Sequence, residues 1–139
     1  MKRFRAIGSI LLLVTCALAS SAQRRGDDDR YRNGRWEYLG QSHADGRHDH
    51  DKIYVNNGER FRAIQLGIKG GDIDFERVVV HFENGQDHDV PVRERVRSGE
   101  RTRAIDLPGD RRRIRSVEFW YGKAGWGRGR PTLNLWGLR

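Results

Sequence analysis

The sequence predicts an all-β domain, an antiparallel β-sandwich of jelly-roll-like form with about seven or eight strands. Short runs of β-branched and aromatic residues recur between turn signals along most of the chain. After the first thirty or so residues no helical period extends beyond about one turn. The dipeptide Asn84-Gly85 joins two of these runs, and Asn-Gly between alternating residues is the strongest local signal for a β-hairpin.

The hairpin around Asn84-Gly85 allows two registers. A two-residue turn would place Asp87 and Asp89 on the face that carries the valines of the first strand, and buried carboxylates there would be costly. A three-residue loop, Glu83-Asn84-Gly85 with Gly85 in the left-handed region, places these carboxylates outside. We therefore expect the three-residue loop.

This loop has consequences for the side chains of the hairpin. It predicts that Val78 faces Val90 and that His81 points away from the core. It also separates His81 from His88, which the shorter turn would have made a facing pair.

The first 22 residues have the pattern of a secretory signal peptide. A basic segment, Met1–Arg5, precedes an apolar segment, Ile7–Leu18, and small residues follow up to Ala22. The apolar segment is too short for a membrane span, so we expect cleavage after Ala22. The sequence thus predicts export to the periplasm or the extracellular space.

The predicted mature chain, Gln23–Arg139, contains no cysteine, because Cys16 lies in the signal peptide. This excludes a disulfide scaffold and a zinc-thiolate site, so we expect a hydrophobic core to supply the stability. Loss of Lys2, Arg3 and Arg5 lowers the formal charge from +8 to +5. A basic chain rich in both signs favours weak attraction to anionic polymers over a dedicated nucleic-acid surface.

The predicted domain begins at residue 36 and continues to residue 139. Residues 23–35 contain Arg, Asp and Gly without an apolar period, which is typical of a flexible charged leader. The strands that follow are bounded by Gly-, Asn-, Asp- or Pro-containing turns and show alternation or β-branched runs. They are predicted at Trp36–Gly40, Lys52–Val55, Phe61–Lys69, the two hairpin segments within Arg77–Val92, Ala104–Leu107, Ile114–Tyr121 and Thr132–Trp136. No transmembrane segment is predicted in the mature chain.

Several of these strand motifs resemble those of a group of small exported bacterial proteins of unknown function. The resemblance covers most of the mature chain and implies export and a β-sandwich, without catalytic residues. The strand order is also similar, more weakly, to galactose-binding-like jelly rolls. The motifs are Trp36–Gly40, Phe61–Leu66, Asn84-Gly85, Ile105–Gly109 and Val117–Tyr121.

A Gly- and Arg-rich loop, residues 122–131, is the first candidate binding site. Loops at the end of a sandwich are positioned by a rigid scaffold and commonly bind ligands. Trp126 could stack on a sugar, and neighbouring cations could bind carboxylate, sulfate or phosphate. The alternative is a flexible loop with Trp126 folded onto the sheet edge. The predicted ligand-binding residues are Lys123, Trp126, Arg128, Arg130 and the nearby Trp120.

A basic stripe, Arg111, Arg112, Arg113 and Arg115, is the second candidate. Alternating arginines on a strand place several cations on one side, where an acidic polysaccharide or another anionic envelope polymer could bind. A solvated outer face balanced by neighbouring carboxylates would give the same pattern.

The segment His48-Asp49-His50-Asp51 is a candidate metal site. Imidazole and carboxylate are ligands for zinc, nickel or copper, and an extended chain would place His48 and His50 on one side. A third ligand would have to come from elsewhere, such as His43 or His88. The alternatives are a structural calcium held by the carboxylates, or a solvated loop.

No catalytic constellation is apparent. The mature chain has no cysteine, and its three serines, Ser42, Ser98 and Ser116, lie in no nucleophile motif. The leading hypothesis is a non-catalytic exported module without a cofactor that contacts an anionic envelope polymer or polysaccharide. The alternatives are a metal-binding factor that uses His48 and His50, and a structural or protein-interaction module.

Overall fold

The structure is a computed structural model of the 139-residue chain. It describes residue 31 and residues 34–44, 50–124 and 129–139, with only the backbone of residues 123 and 124. The chain divides into two compact units, Met1–Asn33 and Gly34–Arg139, and the strands described below belong to the second. The predicted signal peptide, residues 1–22, lies outside the described residues, as does most of the leader.

Ten strands in the described residues form two antiparallel sheets, which confirms the predicted β-sandwich. The first sheet has four strands in the order β1-β10-β4-β8. The second has six, with the path β2-β9-β5-β6, β3 beside β9 and β7 beside β5. The strands are β1 Trp36–His43, β2 His50–Tyr54, β3 Arg60–Phe61, β4 Ala63–Lys69, β5 Asp72–Phe82, β6 Asp87–Val90, β7 Glu94–Val96, β8 Ile105–Asp106, β9 Arg112–Ala124 and β10 Thr132–Leu138.

The predicted number of strands, seven or eight, was too low for two local reasons. The single strand expected at Phe61–Lys69 is divided at Arg62, because β3 pairs with β9 in the six-stranded sheet while β4 pairs with β10 in the other. The charged segment after Val92, expected to be a plain connection, contains the short strand β7, which pairs with β5. Alternation within a segment does not reveal a change of sheet partner.

The core lies between the two sheets and is formed by alternate residues of the long strands. Ile64, Leu66 and Ile68 of β4 are at most 1% exposed, as their alternation predicted. Val117, Phe119 and Tyr121 of β9 are buried in the same way. The side chains between them, including Trp120, therefore point to the outer face of the six-stranded sheet.

The hairpin between β5 and β6 has the three-residue loop that the sequence predicted. Val78 pairs with Val90, and Phe82 N–H donates to the Gln86 carbonyl at 2.9 Å. Gly85 has a φ of 85°, in the left-handed region that favours glycine. His81 pairs with Asp87 instead of His88, and it lies on the outer face.

Two register shifts between β5 and β9 shape the outer face of the six-stranded sheet. His81 pairs with Ser116 and Phe82 with Ile114, so Arg115 has no opposite residue in this ladder. Such a bulge bends the strand and redirects its side chains.

Within the described residues, no helix has the length and apolar character needed to cross a membrane.

Candidate functional site

The outer face of the six-stranded sheet carries a dense group of interacting polar side chains, here called the paired face. At its centre Trp120 of β9 lies between two direct cross-strand neighbours, His50 of β2 and Arg77 of β5. The imidazole and indole centroids are 5.2 Å apart, and the Arg77 guanidinium carbon is 4.8 Å from the indole centroid. Trp120 is thus engaged by its own sheet. The paired face comprises His50, Lys52, Arg77, His81, Asp87, Asp89, Glu118 and Trp120.

Glu118 connects three strands of the paired face. One carboxylate oxygen is 2.7 Å from His50 Nε2, and the other is 3.0 Å from His81 Nε2 and 3.3 Å from Lys52 Nζ. Its side chain is only 16% exposed, and burial alone would raise its pKa. Hydrogen bonds from His81, His50 and Lys52 outweigh that burial, so the pKa of Glu118 lies below its ordinary value.

His81 bonds a carboxylate with each ring nitrogen. Its Nδ1 lies 2.7 Å from Asp87 Oδ1, and its Nε2 faces Glu118. Carboxylate oxygens only accept hydrogen bonds, so each of these contacts is a hydrogen bond only when the ring nitrogen concerned carries a proton. Nearby, Arg77 Nε donates to Asp89 at 2.9 Å, and this bond lowers the pKa of Asp89. The charges of the paired face therefore largely satisfy one another.

The predicted metal ligands are only partly within the described residues. His48 and Asp49 lie outside them, whereas His50 and Asp51 lie on opposite sides of β2, as an extended strand requires. His50 bonds Glu118, and Asp51 Oδ2 accepts a hydrogen bond of 2.9 Å from the hydroxyl of Tyr121. In the described part of the chain, no group of three or more His, Asp or Glu side chains is arranged to hold a metal ion.

The two further candidates for a third metal ligand lie on other strands, His43 on β1 and His88 on β6. His43 Nδ1 is 3.1 Å from Thr132 Oγ1 on the four-stranded sheet, and His88 pairs with Val80 in the hairpin. The metal hypothesis for residues 48–51 therefore remains a prediction, which metal analysis of protein purified without a polyhistidine tag tests.

A second group of cations surrounds a cavity of about 400 Å³ at the end of the six-stranded sheet that carries the β5–β6 hairpin loop, here called the arginine cavity. It includes three residues of the predicted basic stripe and adds Arg60 of β3. Glu83 is the carboxylate in this lining. The lining residues are Arg60, Phe82, Glu83, Asn84, Arg111, Arg112 and Arg113.

The pairing of β3 with β9 determines the charge of this cavity. Arg60 lies directly opposite Arg113, and like charges in that position are destabilising. Arg113 Nη1 is 3.8 Å from Glu83 Oε2, in a pair whose side chains are about half exposed. Among the described residues, neither Arg60 nor Arg111 has a carboxylate within ion-pair distance. The lining therefore contains four guanidinium groups and one carboxylate, which pairs with Arg113.

Arg112 has a different role from the other arginines of the stripe. Its guanidinium carbon lies 4.1 Å from the centroid of the Phe82 ring, and its nitrogens donate to Gln86 Oε1 at 2.7 Å and to the Pro108 carbonyl at 3.2 Å. These contacts hold the hairpin loop against the start of β9. The remaining stripe residue, Arg115, is exposed in the bulge.

The structure separates the two surfaces that the sequence combined in one hypothesis. The stripe lies in the first residues of β9, and the predicted loop begins at Gly122 near the end of the same strand. The seven residue steps of strand from Arg115 to Gly122 extend roughly 23 Å. Trp126 and Arg128 lie outside the described residues, as does the side chain of Lys123. Arg130 is exposed just before β10.

Sequence reasoning missed Arg60 as a member of the basic group and Glu118 as the centre of the paired face. The available signal for Glu118 was its position beside Trp120 on the outward side of a strand whose other side is apolar. For Arg60 no signal existed in its own segment, because its importance comes from the residue opposite.

One family model matches the chain, that of a domain of unknown function (DUF2541), over residues 9–137. This match covers nearly the whole chain and confirms the resemblance to an uncharacterised family. No curated protein and no solved structure gives a match. By sequence, the chain belongs to the DUF2541 family.

Proposed function

We propose that this protein is an exported, non-catalytic module that binds an anionic envelope polymer or polysaccharide through the arginine cavity. The observation that carries this proposal is the shortage of counter-charge, with four guanidinium groups around about 400 Å³ and one carboxylate among them. Arginine presents a planar fork of donors that matches carboxylate, sulfate and phosphate groups.

The energetic argument concerns Arg60 and Arg113, which face each other across two strands. Their repulsion lowers the stability of the free protein and is relieved when an anion lies between them. A polymer suits this surface better than an isolated ion, because a repeating chain can meet Arg111 and Arg113 at the same time. Its binding would release counterions and would weaken as salt increases.

Export is part of the proposal, and the residues before Ala22 support it. A basic segment, an apolar segment and small residues follow one another in the order that signal peptidase recognises. Mass spectrometry of the protein recovered from the periplasm of an expressing bacterium tests this, with Gln23 expected as the first residue. Recovery of the full-length chain from the cytoplasm alone would contradict export.

The binding proposal is tested by affinity chromatography on immobilised polygalacturonate, with neutral dextran as the reference matrix. We expect retention on the polyanion and elution at a defined salt concentration. Replacing Arg60, Arg111 and Arg113 with serine should lower that salt concentration strongly. Binding of purified lipopolysaccharide by the same variants then compares a phosphate-rich polymer with a carboxylate-rich one.

A matched variant distinguishes the effect of losing the arginine cavity from the effect of lowering the net charge of the protein. Replacing Arg93, Arg97 and Arg103 with serine removes the same number of exposed cations outside the arginine cavity. This control should elute close to the wild type. Two results would overturn the proposal. One is an equal fall in the eluting salt concentration for both triple variants, and the other is that the wild type neither is retained on polygalacturonate nor binds lipopolysaccharide.

A further inference from the structure

The four-stranded sheet has a separate cavity on its outer side, about 200 Å³ in volume, here called the Trp136 cavity. It is formed by neighbouring positions of β4 and β10 and by the segment that precedes Thr102. Its polar and aromatic lining consists of Lys69, Glu100, Arg101, Asn134 and Trp136, with Gly67 beneath them. None of these residues belongs to the arginine cavity or to the paired face.

Arg101 is held in a defined orientation at this cavity. Its guanidinium carbon lies 4.1 Å from the centroid of the Trp136 ring, which is a cation–π distance. Stacking engages the flat face of the guanidinium and leaves the N–H groups in its plane available. Among the described residues no carboxylate lies within ion-pair distance of Arg101, so its charge is available to an external anion.

The backbone beside Arg101 is fixed as firmly as its side chain. Thr102 is 2% exposed; its N–H donates to the Leu66 carbonyl at 2.8 Å, and its hydroxyl accepts from Leu66 N–H at 3.1 Å. Arg101 itself forms an isolated antiparallel bridge with Gly67. A side chain held in this way loses less freedom when it binds a ligand.

Gly67 creates the space in front of Arg101. A Cβ atom at this position would lie 3.4 Å from Arg101 Cγ and 3.5 Å from Trp136 Nε1. These are ordinary contact distances, and the backbone of Gly67 is not in the left-handed region. Glycine is therefore not required by the strand here, and its effect is to leave the floor of the cavity open.

We propose that the Trp136 cavity binds one uronic-acid unit, with the sugar carboxylate on the Arg101 guanidinium. The planar fork of Arg101 matches a carboxylate, and Lys69 adds a second cation at the rim. Asn134 and Glu100 offer a donor amide and an acceptor carboxylate to ring hydroxyls. A volume of about 200 Å³ is below that of typical drug-sized sites and suits a single ring.

The aromatic neighbour Tyr38 extends the surface beside this cavity. Its ring meets Trp136 edge to face at 5.4 Å, and the residue is 46% exposed. An exposed aromatic next to a polar cavity favours contact with the apolar face of a sugar ring. The proposal thus adds a site to the protein beyond the arginine cavity, on the other sheet and for a single unit.

The test is titration of the full mature protein with sodium D-glucuronate, by calorimetry and by the NMR signal of the Trp136 indole N–H. We expect saturable binding that shifts this signal. D-Glucose and sodium acetate are titrated separately, to supply the ring without the carboxylate and the carboxylate without the ring. Each should bind at least about tenfold more weakly than glucuronate, a difference that corresponds to about 1.4 kcal/mol.

Two substitutions examine the geometry. Arg101→Lys keeps the charge but loses the fork, and should weaken glucuronate binding by about tenfold or more. Gly67→Ala should abolish it by filling the floor, and an unchanged melting temperature would show that the fold is intact. Arg103→Lys, at a nearby exposed arginine, is the matched control and should bind glucuronate like the wild type.

Three results would overturn the proposal: no saturable binding of glucuronate, equal binding of glucose or acetate, or equal effects of Arg101→Lys and Arg103→Lys. The result is independent of the arginine cavity, because the serine variants of Arg60, Arg111 and Arg113 should bind glucuronate normally. Failure of glucuronate binding would therefore leave the polymer proposal standing. Failure of polymer binding at the arginine cavity would likewise leave the glucuronate proposal standing.

Discussion

The paired face and the arginine cavity belong to the same sheet, and both are rich in charge, yet they differ in how the charge is balanced. On the paired face, the carboxylates of Glu118, Asp87 and Asp89 each have a histidine or arginine side chain within hydrogen-bond distance. In the arginine cavity, Arg60 and Arg113 face each other and Glu83 is the one carboxylate in the lining.

This difference separates charges that stabilise the fold from charges available to a ligand. Removal of a carboxylate from the paired face leaves cations without partners in a partly buried setting, which is costly. Removal of a cation from the arginine cavity relieves repulsion at an exposed position, which costs little. Substitutions in the two regions should therefore change stability by different amounts and even in different directions.

The largest effect is expected for Glu118→Ala. The change leaves His50, His81 and Lys52 without their shared acceptor, and we expect the free energy of unfolding to fall by about 2 to 3 kcal/mol. Urea denaturation at pH 7 measures this. The matched change Glu83→Ala should alter stability by no more than about 0.5 kcal/mol. Equal losses for the two variants would remove the distinction between the regions.

The next effect is a dependence of stability on pH through Glu118. Its pKa in the folded state lies below the ordinary 4.5, so the unfolded state binds the proton more readily. The stabilisation is therefore fully present above pH 4.5 and is lost as the pH falls through the lower folded pKa. We expect the stability difference between wild type and Glu118→Gln to shrink over this range in urea titrations. A difference that stays constant down to pH 2 would contradict this assignment.

A smaller effect is expected for Arg77→Met, which keeps the length of the side chain and removes its charge. The Arg77 and Asp89 side chains are about half exposed, so water and salt screen their ion pair and it should contribute little to stability. The loss should be smaller in 1 M NaCl than in 0.1 M NaCl because salt screens the pair. Intrinsic fluorescence should change as well, since Arg77 lies over Trp120. A loss as large as that of Glu118→Ala would mean that the paired face is more tightly coupled than its exposure indicates.

The smallest effect, of opposite sign, is expected for Arg60→Thr. It removes one of two directly opposed cations and introduces a residue that favours strands, so stability at low salt should rise by about 0.5 kcal/mol. The increase should largely vanish in 1 M NaCl. Arg103→Thr serves as the control for loss of an exposed arginine. Destabilisation by Arg60→Thr would show that this arginine has a structural partner, and would weaken the case for the arginine cavity.

Much of the fold could be predicted because its causes are local. The alternation of Ile64, Leu66 and Ile68 identified a buried face, and the cost of burying Asp87 and Asp89 selected the three-residue hairpin loop. The candidate site could be predicted less well. The basic stripe was identified, but Arg112 proved to hold the hairpin loop, and Trp120 is enclosed by His50 and Arg77.

By itself the sequence determined the sandwich, the hairpin register and the buried face of each long strand, since these follow from residue order within one segment. Only the tertiary structure decided which strands are neighbours. The pairing of β3 with β9 places Arg60 opposite Arg113, and the bridge at Gly67 places Arg101 over Trp136. The electrostatics of a site depend on distances across strands, and those distances are fixed only when the two sheets form.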